Sequence, residues 1–525
     1  MAGNALSAPG ADAHWKGALL LAFGLTAARL VALFVTPLEL YPDEAQYWLW
    51  SRTLDWGYFS KPPMIAWTIW ATTAIGGNDE AWVRLAAPFY HLGVTLAVFG
   101  IGRRLYGPAV GFAACALYAL MPGVQISSLA IATDAALLFF LSLSLLAYVE
   151  LPAAVGRRRL LMAAGFGAAV GLAFLSKYAA VYAIIGLALH LLISKDARRV
   201  WDWKTAGAAL GAFLLILSPN LAWNAAHGFA TVQHTAANAA WGGRKLFNLP
   251  ELGEFLVSQF GVFGPIPFAV LIGGGVLLGL RKRLTAADLT LLCFSIPPFL
   301  IVTTQAFISR ANANWSGAGY VAGSILVAAW LMRWRARWWL VGAVASQALI
   351  ATLFLACVIS PPLAEKIGAA NAFKRAKGWE QTVAALTERA AAEPGLTAVA
   401  VDDRFLFNAS AYYGRAFFGA ANAPPLKMWV REGHPQNQAE TTDPLTPATG
   451  ALVLAASLDL IYRDELAQDF KTVSGREIHS VMLDRTRRRK TELFLGEGFA
   501  PLPRDPLTGQ PPKPKAAEVS ASTPP

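Results

Sequence analysis

The chain has 525 residues, 55% of them hydrophobic and only 15% charged, with a net charge of +11. The charged share is well below the roughly 25% of ordinary soluble domains, which argues against a soluble globular protein. The positive charge does not describe a nucleic-acid binder either. Lysines and arginines gather in short clusters between long apolar blocks, the distribution of cytoplasmic loops, and no basic domain is left over.

Several blocks reach the ~20 residues needed to cross a bilayer as a helix, among them residues 17–34, 160–175, 206–221 with their flanks, and 318–331. In hydrocarbon each backbone N–H and C=O must be satisfied within the segment, so these blocks form helices. The pattern predicts about eleven spans, near 17–36, 82–102, 108–122, 134–150, 160–176, 178–194, 205–222, 256–280, 285–308, 315–332 and 338–358. The first block is too long for a cleavable signal and lacks a small-residue cleavage site, so it reads as the first span. With the N-terminus inside, the cytoplasmic loops carry Arg103-Arg104, Arg157 to Arg159, Lys195/Arg198/Arg199/Lys204, Arg281-Lys282-Arg283 and Arg333/Arg335/Arg337. The opposite loops hold only scattered cations: Arg52, Lys61, Lys177, Arg244, Lys245 and Arg310. An odd span count places everything after about residue 360 outside. Cys115, Cys293 and Cys357 lie in apolar stretches and suit neither a disulfide framework nor a metal site.

The first outer loop reads LYPDEAQYWLWSRTLDWGYFSKPPMIAW from Leu40 to Trp67. Its many aromatic rings are of the kind that settle at a membrane–water boundary. Their spacing predicts a short helix lying on the membrane, ended by Pro62-Pro63 after Lys61. Asp43-Glu44 admits two roles: an N-cap with a favourable first-turn acid, or a catalytic carboxylate at the mouth of the bundle. Lys61 is either a lysine snorkelling to the interface or a phosphate contact.

A paired acid, an aromatic amphipathic stretch and then Lys-Pro-Pro resembles the signature of polytopic glycosyltransferases that use polyprenyl-phosphate-linked sugars. These are the GT-C fold enzymes of the protein-mannosyltransferase and aminoarabinose-transferase type, and the resemblance runs through residues 20–330. It implies catalytic roles for Asp43 and Asp134 with Glu44, and donor-phosphate contacts from Lys61 and Lys177. One position departs from the pattern. Where aminoarabinose-type members carry a metal-binding acid before Lys-Pro-Pro, this chain has Ser60. A divalent cation needs carboxylate or imidazole ligands, so no metal ligand is assigned and the cofactor is left open.

Asp134 opens the fourth span, where a carboxylate at membrane depth is costly and points to function; the structural alternative is an N-cap beside Thr133. Lys177 lies at an outer helix junction. Tyr58, Asn220, Asn224 and His227 are candidate sugar contacts, as are Asn312, Asn314 and Trp315; helix capping and interface packing explain the asparagines and His227 equally well. Arginine forks onto phosphate oxygens, which favours Arg310 within SRANANW. His91 lies inside a span and is read as packed. Asp402 to Arg404, in VDDRFLFNASAYYG, read as a strand end followed by a helix.

Residues 361–500 shift to strand-length apolar runs (396–401, 451–455) between helix-like segments (378–392, 458–469), which predicts a small α/β domain. The tail 501–525 is rich in Pro, Lys, Ala and Ser and is expected to be disordered. The fold class is thus a polytopic α-helical membrane protein, GT-C-like in residues 1–360 with its catalytic outer loop at 37–81, followed by a small extracytoplasmic α/β domain.

No Walker A or Rossmann glycine pattern is present, so a lipid-phosphate donor suits the chain better than a nucleotide sugar. The expected reaction is inverting transfer to a lipid A, lipopolysaccharide, other glycan or protein hydroxyl, with Asp43 as general base. The basic, Ala- and Arg-rich chain suggests a bacterial inner membrane with a periplasmic active site. A transporter or flippase of lipid-linked sugars is the alternative. No internal repeat appears, and the polar residues cluster at the outer ends of spans instead of at mid-depth.

Overall fold

The computed structural model describes residues 9–237 and 247–513. Arg244 and Lys245, and the last part of the tail, lie outside the described residues. The chain divides into two compact units, one of residues 1–37 and 51–363, the other of 38–50 and 364–525. The first outer loop is therefore shared: residues 38–50 fold with the C-terminal unit and residues 51–63 with the membrane unit.

Among the described residues, the regular structure of the membrane unit is helical. Seven described helices are long and apolar enough to cross a bilayer, including Glu80–Tyr106, Thr133–Ala153, Gly156–Ser176 and Trp203–Ala226. Other expected spans are shorter apolar helices, Pro108–Ala119, Tyr178–Ile193 and Gly319–Arg333. The block expected as one span over 256–280 is two helices, Leu249–Val262 and Pro265–Leu280, bent by 115°. The bend falls at Gly264, whose φ of +99° is open to glycine, followed by Pro265, which starts a helix readily. The core runs through Val98, Leu117, Tyr118, Ile325 and Trp330. Within this core, buried Asp288 pairs with Arg333 at 2.8 Å and accepts from Tyr106 Oη (2.8 Å) and Trp330 Nε1 (3.0 Å). Every polar atom of that carboxylate is thus satisfied, as burial demands. His91 is buried and bonded to Tyr118 (2.9 Å) and Ser127 (3.0 Å), the packed histidine its position suggested.

The C-terminal unit is built on a five-stranded sheet in the order β2-β1-β3-β5-β4, with β1 at Ala398–Val401, β2 at Leu426–Met428, β3 at Leu452–Ser457, β4 at Phe470–Met482 and β5 at Arg488–Phe499. The first three strands are parallel, and β5 runs antiparallel to β3 and to β4. Alternate residues of β1 enter separate cores, Val399 and Val401 on one face, Ala398 and Ala400 on the other, the pattern of a strand covered on both sides. The helix expected over 458–469 is confined to Arg463–Ala467. Residues 501–513, expected to be disordered, are pinned instead. Arg504 pairs with buried Asp469 at 2.7 Å, and the Leu502 N–H donates to the same carboxylate.

Candidate active site

In the membrane unit, hydrogen bonds join the turns at Trp56 and Tyr58 to Asn220, Asn224, Tyr178 and Thr231, and an ion pair joins Lys177 to Asp134. The segment after Trp50 is a run of turns, so the aromatic helix is shorter than expected, covering only Pro42–Trp50. Asp55, Gly57 and the double proline stop it. Within the turns, the Tyr58 N–H donates to the Lys61 carbonyl at 3.0 Å. Tyr58 is buried; its hydroxyl donates to the Thr53 carbonyl (3.0 Å) and accepts from the Asp55 N–H (3.2 Å). Burial pushes the phenol up to about 12. Tyr58 therefore braces the loop from within. Lys61 follows it, half-buried, and Pro63 leads into the helix Met64–Gly76.

The loop is tied to two helix ends. The buried Asn220 amide donates to the Trp56 carbonyl at 2.6 Å and its oxygen accepts from Tyr178 Oη at 3.1 Å. Asn224 donates to the same Tyr178 hydroxyl at 2.9 Å, and Thr231 donates to the Tyr58 carbonyl at 2.6 Å. Both ends of the Asn220 amide are thus engaged, one N–H with the loop and the oxygen with Tyr178, so it works as a tether. Trp223 stacks on His227 with ring centroids 4.1 Å apart and closes over Gly57, where a Cβ would stand 2.4 Å from the indole. Only glycine fits that place. Tyr178, Thr231 and Gly57 were not singled out by sequence; the one signal for Tyr178 is its position directly after Lys177.

Lys177 lies beside Tyr178, where the helix Gly156–Ser176 ends. Its ammonium contacts both oxygens of Asp134 at 2.9 and 3.0 Å, with each side chain about one-fifth exposed. Asp134 stands in the first turn of Thr133–Glu150, while the N-cap position is Ala132. It is thus not the cap, and its carboxylate is committed to the lysine. An ammonium has three N–H donors, so the pair still offers one toward a phosphate. Arg310, Asn312 and Asn314 are exposed, and Trp315 packs with Ala311 and Tyr182 against Phe255, Val302 and Ala306. Buried Gln259, which the sequence did not mark, fastens that segment by accepting from Ser316 (2.8 Å) and Tyr320 (2.7 Å).

The acid pair belongs to the C-terminal unit. Asp43 and Glu44 both stand in the first turn of Pro42–Trp50, so Asp43 is not the N-cap. Glu44 takes the capping work. It is buried, and its carboxylate accepts the Tyr41 N–H at 2.8 Å, the reach-back of a third-position acid onto the residue before the helix. Asp43 is exposed. The same unit holds Asp402 at the end of β1, bonded by the Ser457 hydroxyl and, at 2.8 Å, the Leu458 N–H. Burial pushes its carboxyl up to about 7. Asp403 caps the following helix through the N–H groups of Phe405 and Leu406, as its turn-like sequence suggested.

Among the described residues, no three His, Cys, Asp or Glu side chains gather as metal ligands. Ser60, buried and uncharged, stands where the related pattern has an acid. Among the described residues, this donor set does not fit a resident cation.

Residues 60–223 match the family described as dolichyl-phosphate-mannose-protein mannosyltransferase. The chain is 40% identical over 318 residues to a lipid A galacturonosyltransferase, RgtD, of Rhizobium johnstonii. That match covers 60% of this chain and 66% of the relative, just under two thirds of its length. Among solved structures, ArnT from Cupriavidus metallidurans superposes with a TM-score of 0.62 when bound to undecaprenyl phosphate, at 16% identity, covering 91% of this chain and 97% of ArnT. The apo form gives 0.61, covering 92% and 98%.

Proposed function

We infer that this chain, a multi-pass membrane protein with the GT-C fold of ArnT and a relative of membrane glycosyltransferases, moves a uronic acid from a polyprenyl-phosphate donor to a hydroxyl of lipid A. The observation that carries the inference is the 40% identity over 318 residues to a lipid A galacturonosyltransferase. The match of residues 60–223, which include Lys61, Asp134 and Lys177, to a family named for a lipid-phosphate sugar donor supports the same donor class.

The acceptor oxygen attacks the anomeric carbon as the bond from that carbon to the phosphate oxygen breaks. The electron pair leaves with the polyprenyl phosphate, and the configuration inverts. Asp43 takes the acceptor proton as general base, a contribution of typically ~10²–10⁴-fold. Lys61 stabilises the charge of the departing phosphate. Lys177 assists through its remaining N–H, with Asp134 holding the ammonium in place. Arg310, exposed on its segment, is the third phosphate contact. Asn220 and Asn224 support the loop that carries Lys61, and Glu44 supports Asp43 by capping its helix. The alternation of basic loops puts the N-terminus in the cytoplasm and the chemistry on the periplasmic side of a bacterial inner membrane.

Incubating the purified full-length protein with labelled polyprenyl-phosphate galacturonic acid and lipid A tests this reading. Labelled lipid A and free polyprenyl phosphate are the expected products. Movement of the intact donor across vesicles without any transfer would instead identify a flippase.

A further inference from the structure

The segment that carries Asp43 is held by residues far along the chain. The Glu39 carboxylate accepts the N–H of Trp379, with the amides of Gly378 and Glu380 also directed at it. These amides open the fourteen-residue helix Trp379–Ala392, and a carboxylate is favoured at that positive end. Gly378 makes the approach possible. Its φ is +76°, and a Cβ there would stand 2.7 Å from Leu483. The Glu39 N–H donates to the Ala376 carbonyl at 3.0 Å, the Leu40 N–H to the Tyr413 hydroxyl at 2.8 Å, and Tyr41 Oη to the Ala372 carbonyl at 3.0 Å. Three successive residues are thus each bonded to partners more than 330 positions later.

The far end of the segment is fastened too. The Trp48 ring meets Tyr412 edge-on at 5.0 Å, and Leu49 packs on the sheet core formed by Val399, Val401 and Leu406. Between these anchors, Asp43 is the exposed acid of the helix while Glu44 is consumed by the cap. A plain connection between two membrane helices needs no such attachment.

We propose that the C-terminal unit is the mount for the catalytic acid, with Glu39 as its chief positioning residue: it fixes the first turn of Pro42–Trp50 and thereby the direction of the Asp43 carboxylate. A displacement of about 1 Å in such a group costs on the order of 10²-fold in rate. The proposal rests on Asp43 being the general base.

The test uses full-length Glu39→Ala, Glu39→Gln and Tyr413→Phe, each alone and combined with Asp43→Asn, assayed for uronic acid transfer. Glu39→Ala lowers kcat by roughly 10–100-fold with the donor KM within about twofold. Glu39→Gln, which keeps an accepting oxygen, recovers most of that loss. Tyr413→Phe removes the acceptor of the Leu40 N–H, loses a smaller factor of about 2–5, and serves as the readout if Glu39→Ala does not accumulate. In the Asp43→Asn background, none of these changes lowers the residual rate further, because the group they position is gone. Equal proportional losses with and without Asp43, or a fully active Glu39→Ala beside a silent Asp43→Asn, would overturn the positioning role alone. Full activity of Asp43→Asn would overturn the base assignment, and this proposal with it.

Discussion

Residues 38–50 and 51–63 are neighbours in sequence, yet they fold into different units. The first stretch is bonded to Trp379, Ala376, Tyr413 and Ala372 of the C-terminal unit. The second is bonded to Asn220 and Thr231 of the membrane unit. One carries an acid on a short helix, the other a lysine at the end of braced turns. A motif that reads as one continuous signature is thus two halves with separate supports. Each half should fail in its own way.

The largest separable effect is expected at Lys61. If Lys61 faces the leaving phosphate as proposed, replacing it with Met should lower kcat by roughly 10²–10³-fold, while the unfolding temperature of the purified protein stays close to wild type. Unchanged kcat would return Lys61 to the role of an interface lysine. Asn220→Ala should act more mildly. It leaves the Trp56 carbonyl without its partner, at a cost of about 1–3 kcal/mol, and loosens the loop that presents Lys61. The donor KM should rise and the thermal midpoint fall, with neither Glu39 nor Tyr413 involved. If Asn220→Ala and Glu39→Ala gave the same kinetic signature, the two halves would not be independently supported.

The smallest effect concerns pH and the C-terminal unit. Asp402 is pushed up to about 7 by burial, from an ordinary value of 3.8. The folded state therefore holds a proton that the unfolded state releases between these values. Its stabilising contribution is complete below about pH 3.8 and is lost as pH rises through about 7. Thermal unfolding of the sheet should accordingly move a few degrees upward from pH 8 to pH 5.5. Asp402→Asn should remove most of that slope, leaving the smaller part from Glu39 and Asp403, whose carboxyls burial also raises. The midpoint of the membrane unit should not follow it.

The membrane helices were legible because bilayer burial writes itself into long apolar blocks. The break at Gly264 was not, since apolarity continues through it and only a glycine before a proline marks the turn. Strands β1 and β3 showed as short apolar runs, but the β4–β5 hairpin did not. Arg476, Glu477, Arg488, Arg489 and Lys490 interrupt the alternation, and β4 exposes most of its residues. The disorder expected from residue 501 overlooked Arg504, whose buried partner Asp469 is 35 positions away. The site followed the same rule. Asp134 and Lys177 stood out singly as charges in apolar surroundings, whereas their pairing was invisible across 43 positions. Glu39 gave no local sign, because its partner lies 340 residues on.

The transfer rate of purified Asp43→Asn, measured with polyprenyl-phosphate galacturonic acid and lipid A beside the wild-type protein, tests the general base most directly. A general base at this position predicts a fall of ~10²–10⁴-fold with donor binding and unfolding temperature preserved. Wild-type transfer by Asp43→Asn would contradict it.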